Sequence, residues 1–162
     1  MPQFSFDNWI FDLDFTLYQI DKEKTEFTYN DLYYNPNLIS NLKKIKGKKI
    51  LFTNANLMHT LACIRKMKLE NVFHKISCRE LSGLKPYPMS YVSLYNLCNI
   101  KKKDTCIFFE DTIVNLIQAK RFGWTTVLIS NNLLELQEAE KIDEIDLTFP
   151  NIISALTYLN SY

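Results

Sequence analysis

The chain reads as a three-layer α/β domain with a doubly wound, Rossmann-like parallel sheet, and three observations predict it. Short apolar runs alternate with helical periods along its length, the pattern of successive βα units. Two of those runs, KILF and TCIFF, are apolar on both faces, as strands covered on both sides must be. Acidic, hydroxyl and lysine side chains follow the runs, at the carboxyl ends where open parallel sheets place their crevices.

The predicted strands are Trp9–Leu13, Lys49–Phe52, Lys75–Ser77, Thr105–Phe109 and Thr125–Ile129. Right-handed crossovers between them give a doubly wound domain, and the expected strand order is 5-4-1-2-3. A helix near Leu38–Ile45 precedes the second strand, and Leu57, Leu61, Ile64, Met67 and Leu69 form the apolar stripe of the next. Met89, Val92, Leu94, Tyr95 and Leu97 mark another helix, and Ile113, Leu116, Ile117 and Ala119 lead to Phe122 with Gly123 as its stop. The last helix starts near Pro150, with Ile153, Leu156 and Leu159 facing inward. Residues 18–35 fit no period; their aromatics and charges predict a small flap after the first strand.

The sequence has 162 residues, which fits one domain over 1–162 that buries roughly two-thirds of the unfolded chain's surface. Nineteen basic against 18 acidic residues give a net charge of +1, which provides no field to recruit nucleic acid or an anionic membrane. The four cysteines form no CxxC pair and read as reduced core thiols. No apolar stretch has membrane-span length and no signal pattern opens the chain, so a cytoplasmic location is expected. Lys43, Lys44, Lys46, Lys48 and Lys49, and Lys101–Lys103, precede strands and read as solvated surface opposite the crevice.

Four short motifs fall at the predicted crevice. Asp12 and Asp14, two apart on an extended chain, project to the same side. Two close carboxylates raise each other's pKa unless a cation neutralises them, and a hard divalent ion is the obvious cation. Taken alone, DLDFT is equally a solvated turn. Thr53 and Asn54 end the second strand and could hold a phosphate oxygen or simply make a turn. Lys85 lies just before a helix starting near Tyr87, and Glu110 and Asp111 follow the most apolar strand, where they could also serve as helix-start acids. Their joint order, acid pair, hydroxyl, lysine, acid pair, carries the specificity.

With those residues in place, the chain resembles the haloacid-dehalogenase-like (HAD) hydrolase superfamily. FDLDFTLY resembles its first motif, FTNA its second, GLKPYP its third and FFEDTIVNLIQAK its fourth. WIFDLDFTLY, TNANLMH and FFEDTIVNLIQAKRFGWTTVLI are most similar to the branch of pyrimidine 5′-nucleotidases and phosphoglycolate-phosphatase-like proteins. The resemblance implies a Mg2+-dependent phosphatase acting through an aspartyl-phosphate. Asp12 would be the nucleophile and Asp14 the general acid and base. Thr53, Asn54 and Lys85 would bind phosphate. Asp12, Asp14 (through its backbone carbonyl) and Asp111 would hold the metal, with Glu110 as a supporting or additional ligand. Thr16 would fix the loop between the acids.

The chain departs from that branch in one respect. Only 40 residues separate Asp12 from Thr53, and 31 separate Thr53 from Lys85, too few for a cap domain at either place. The expected substrate is a phosphomonoester, a nucleotide or small sugar phosphate, with a macromolecular phosphate and a non-catalytic binding module as alternatives. The aromatic flap is expected to border the site as a substrate wall or to form a homodimer contact.

Overall fold

Every strand of the sheet runs in the same direction, and the reason is visible in its burial. In the computed structural model, which describes residues 4–20 and 23–161, the strands are β1 (Asn8–Phe11), β2 (Lys48–Phe52), β3 (Lys75–Ser77), β4 (Cys106–Glu110), β5 (Thr125–Ile129) and β6 (Leu147–Phe149). Their order is β3-β2-β1-β4-β5-β6, all parallel. The four residues of β1 and the five of β4 are all buried, so neither face meets water.

The side chains of the central strands alternate between two cores, as the two-residue period of a strand requires. Phe11, Leu51, Phe109, Val127 and Ile129 pack on one face against helices α1 (Pro36–Lys44), α2 (Leu57–Met67) and α7 (Ile152–Asn160). Ile10, Ile50, Phe52, Phe108 and Leu128 pack on the other against α4 (Pro88–Cys98), α5 (Ile113–Arg121) and α6 (Leu133–Ala139). A single turn of helix, α3 (Arg79–Ser82), follows β3. Asn35 and Asn151 cap α1 and α7 with side-chain oxygens, and α2 and α4 end on Lys68 and Asn99 in left-handed conformation.

The expected order 5-4-1-2-3 holds for the five strands named from sequence, and β6 extends the sheet beyond β5. Three residues between acids and Pro150 give β6 no readable period. Helix α6 was equally illegible, because Leu133 and Leu134 are exposed and only Ala139 is buried, so no apolar face exists. The last helix buries Ile152, Ala155, Leu156 and Leu159; Ile153, expected inward, is half-buried.

Residues 18–35, of which 21 and 22 lie outside the described residues, contain only the short 3-10 turn Tyr29–Asp31. Leu32 anchors this segment in the α1/α2/α7 core. One lysine departs from the expected solvated surface. Lys49 is buried, its Nζ donates to the Ile45 carbonyl at 3.2 Å, and burial lowers its pKa. It serves to close the turn entering β2.

That turn has no room for a side chain at Gly47. An added Cβ would lie 2.4 Å from the Phe6 carbonyl oxygen and 2.7 Å from Trp9 Cδ1. Trp9 cannot yield, since its indole nitrogen donates to Phe6 O and its ring stacks on Phe109 at 6.0 Å. Gly47→Ala is therefore expected to destabilise the fold by about 1–3 kcal/mol. Urea denaturation checks this: the midpoint should fall at unchanged slope, and an unchanged midpoint would disprove the close packing.

Candidate active site

The chain turns sharply as it leaves β1. The amides of Thr16 and Leu17 both donate to the Leu13 carbonyl, at 3.2 and 3.0 Å. To make this turn Phe15 adopts φ 61°, a left-handed conformation that costs a side-chain-bearing residue about 1–2 kcal/mol. The turn holds Asp12 beneath the loop, where Thr16 Oγ1 donates to its Oδ2 at 3.1 Å, and sends Asp14 the other way.

Lys85 Nζ occupies the centre of the crevice. It donates to Asp12 Oδ1 at 2.9 Å, to Glu110 Oε2 at 2.7 Å and to the Phe52 carbonyl at 2.7 Å, and is almost completely buried. The ends of β1, β2 and β4 thus meet on one ammonium. Burial alone would lower the Lys85 pKa, but the carboxylates of Asp12 and Glu110 more than offset it and the group is raised.

Asp12, Glu110 and Asp111 offer carboxylate oxygens that all lie within 4.8 Å of one another. Burial, then the Glu110 charge, pushes Asp12 up to about 7 against the opposing pull of Lys85. Burial likewise raises Glu110 and Asp111. Fully ionised, these three acids and one lysine leave two negative charges, the deficit a single divalent cation fills. An all-oxygen donor set suits a hard ion such as Mg2+. Glu110 is the least available of the three. Its Oε1 accepts from the amides of Asp111 and Thr112, and its Oε2 from Lys85 and Asn115. Asp12 and Asp111 are the freer donors.

The remaining predicted residues converge on the same cleft, which Asp12, Asp14, Thr53, Asn54, Lys85 and Asp111 line together. Thr53 is buried at the end of β2, and its Oγ1 accepts from the Ala55 amide at 3.1 Å. Asn54, expected to bind phosphate, instead directs its side chain at the backbone of Lys85, accepting from its amide at 2.7 Å and donating to its carbonyl at 3.0 Å. That clip places the lysine. The Asp14 side chain lies outside the acid cluster, so any contribution to a metal held there could come only from its backbone.

Asp14 has partners that the sequence reading missed. Its Oδ1 receives His59 Nε2 at 2.7 Å and the Tyr18 hydroxyl. An ionised carboxylate only accepts, so His59 donates from Nε2, and its Nδ1 shares a hydrogen bond with the Tyr29 hydroxyl at 2.9 Å. Cys63 Sγ lies 3.4 Å from Nε2, its thiol pushed up to about 12 by burial. Phe27 packs edge-on against the same imidazole at 5.7 Å. The flap aromatics therefore surround Asp14 and His59. The available signal was position: His59 lies in the first turn of the helix after the second motif, three residues past its cap Asn56.

No family model matches the sequence. Among solved structures, the chain is similar to L-2-haloacid dehalogenase from Xanthobacter autotrophicus with chloropropionic acid covalently bound, at TM-score 0.64 and 16% identity over 81% of this chain and 62% of that one. It is also similar to a HAD phosphatase from Thermococcus onnurineus, at TM-score 0.62 and 17% identity over 77% of this chain and 57% of that one. The chain thus spans about three-fifths of the length of these proteins. With four motifs gathered at the carboxyl ends of an all-parallel sheet in the order β3-β2-β1-β4-β5-β6, the chain has the haloacid-dehalogenase-like fold.

Proposed function

We propose that the chain is a Mg2+-dependent phosphomonoesterase that works through an aspartyl-phosphate on Asp12. The observation that carries this reading is the charge deficit of the crevice: Asp12, Glu110 and Asp111 lie together with Lys85 as their single lysine partner among the described residues. Such a cluster repels an anionic substrate unless a divalent cation joins it, and cation-assisted phosphoryl transfer needs that arrangement. Asp14, two residues from Asp12, supplies the proton carrier that ester cleavage requires. Covalent attachment of chloropropionic acid in the Xanthobacter dehalogenase supports a covalent route on this fold.

Asp12 and Asp111, with the Asp14 backbone carbonyl, would hold the cation. When bound, Mg2+ neutralises the acid cluster and the phosphoryl oxygens that approach it. An Asp12 oxygen attacks phosphorus as the ester P–O bond breaks, and protonated Asp14 delivers its proton to the departing oxygen. Asp14, now ionised, takes a proton from water as the water oxygen attacks phosphorus and the Asp12–phosphorus bond breaks. Lys85 holds the nucleophile in place, and Thr53 offers its hydroxyl to a phosphoryl oxygen. Because His59 and Tyr18 both occupy Oδ1, Oδ2 of Asp14 is the oxygen that exchanges the proton. The flap, through Tyr18 and Tyr29, forms the wall behind Asp14. The site lies among described residues in which no helix is long and apolar enough to cross a membrane.

Three outcomes test this reading. Asp12→Asn should lower turnover of a phosphate ester by at least about 1,000-fold with an unchanged circular dichroism spectrum, because an amide is nearly isosteric but not nucleophilic. Wild-type rates in that variant would exclude Asp12 as the nucleophile.

The second outcome concerns pH. A buried carboxylate whose folded pKa is raised holds a proton that the unfolded chain releases, so stability without metal falls as pH rises from about 4 to about 7. The cation competes with that proton. Millimolar Mg2+ should therefore raise the melting temperature by about 3–6 °C at pH 8 and by little at pH 5. Equal shifts at the two pH values would contradict metal binding at this cluster.

The third concerns His59. Removing its donor in His59→Ala frees Asp14 to turn away, so hydrolysis of an alkyl phosphate should fall about tenfold more than that of p-nitrophenyl phosphate, whose leaving group needs little acid assistance. His59→Gln, which keeps an N–H donor, should restore much of the difference. A uniform loss on both esters would assign His59 a packing role.

A further inference from the structure

Three residues other than glycine have positive φ among the described residues, and two of them are explained: Lys68 and Asn99 end α2 and α4 in the left-handed conformation that closes a helix. Phe15 is the third. It ends no helix, and glycine would make its turn without strain. Burial compensates only in part, since 43% of the phenylalanine stays exposed. Its one ring contact among the described residues is Tyr18, at 6.0 Å. A strained backbone carrying an exposed apolar ring at a crevice is the combination expected where the ring itself has a task.

The position of that ring defines the task. Phe15 and Asp111 line both the catalytic cleft of about 180 Å³ and an adjoining cavity of about 340 Å³. The adjoining cavity lies between the flap and the loop after β5, bordered also by Gln19, Lys24, Ser130 and Glu135. Several of its polar side chains already have partners: Gln19 donates to the Pro150 carbonyl, Lys24 pairs with Asp31, and Ser130 donates to Glu135. Phe15 is the one aromatic side chain among the described residues that line it. A substrate whose phosphate lies over Asp12 extends its leaving group past Phe15 into this space.

We propose that Phe15 and the adjoining cavity form a leaving-group subsite for a phosphomonoester bearing a flat ring close to the ester oxygen, an aryl or arylmethyl phosphate. The inference rests on the phosphatase reading above and adds the substrate class to it. Ring-on-ring contact with Phe15 favours flat groups over saturated ones of similar size.

Wild type, Phe15→Gly and Phe15→Tyr are compared in two assays: hydrolysis of benzyl and ethyl phosphate with Mg2+, and calorimetric binding of benzylphosphonate and ethylphosphonate, which cannot be hydrolysed. In Phe15→Gly the benzyl-to-ethyl ratio of kcat/KM should fall about tenfold, read as a ratio so that any general loss cancels. The corresponding ratio of phosphonate affinities should fall by a similar factor. The melting temperature should stay level or rise, because glycine relieves the turn, whereas a merely structural Phe15 would lower it. Phe15→Tyr should keep both ratios. If wild type hydrolyses the esters but Phe15→Gly leaves both ratios unchanged, the subsite is refuted and the phosphatase reading stands. If wild type hydrolyses neither ester yet loses its preference for benzylphosphonate in Phe15→Gly, the ring subsite stands and the phosphatase reading fails.

Discussion

The buried ammonium of Lys85 is the interaction on which the rest of the site depends. It ties Asp12 after β1, the Phe52 carbonyl in β2 and Glu110 in β4 to one point, against the faces of Phe52 and Phe108 at 4.9 and 5.3 Å. Each of these charges would be costly to bury alone, and removing one partner from such a group typically costs about 3–5 kcal/mol. The lysine is itself held by its neighbours. Its backbone is clipped to Asn54, so the second motif sets where the third delivers its charge. One ammonium cannot balance three carboxylates, so the crevice keeps a negative charge that a divalent cation would offset.

The two acids of the first motif have been separated by their surroundings rather than by distance along the chain. Asp12 is enclosed with Glu110 and Lys85, where burial favours its protonated form until a cation arrives. Asp14 stands half-buried across the turn, supplied with donors by His59 and Tyr18. Placing two carboxylates in unlike environments is how one short motif can provide both a nucleophile and a proton carrier. The cost is concentrated in the strained residue that follows them, Phe15.

The flap gains a physical account from the same contacts. Tyr18, Phe27 and Tyr29 form a chain of ring contacts that ends on His59, while Leu32 roots the segment in the core. Its aromatic density therefore has two explanations, an inner anchor and a polar edge that reaches Asp14 through hydroxyls. Tyr33 and Tyr34 remain exposed, and the Tyr34 ring lies under the Lys68 ammonium at 5.2 Å.

By itself the sequence determined the layers, five of the six strands and their order, because runs apolar on both faces, such as KILF and CIFF, can be satisfied only inside a covered parallel sheet. It also determined that Asp12, Asp14, Thr53, Lys85, Glu110 and Asp111 share one edge, since each follows a strand or opens a helix on the carboxyl side. It could not show β6 or α6, whose few residues carry no periodic apolar face. Nor could it decide what each polar side chain touches. That Asn54 holds the Lys85 backbone, that His59 reaches Asp14 from 45 positions away, and that Phe15 faces two cavities depend on contacts between distant segments. Local pattern records which side of a strand or helix is apolar; only the tertiary structure brings the ends of separate elements close enough for their polar groups to choose partners.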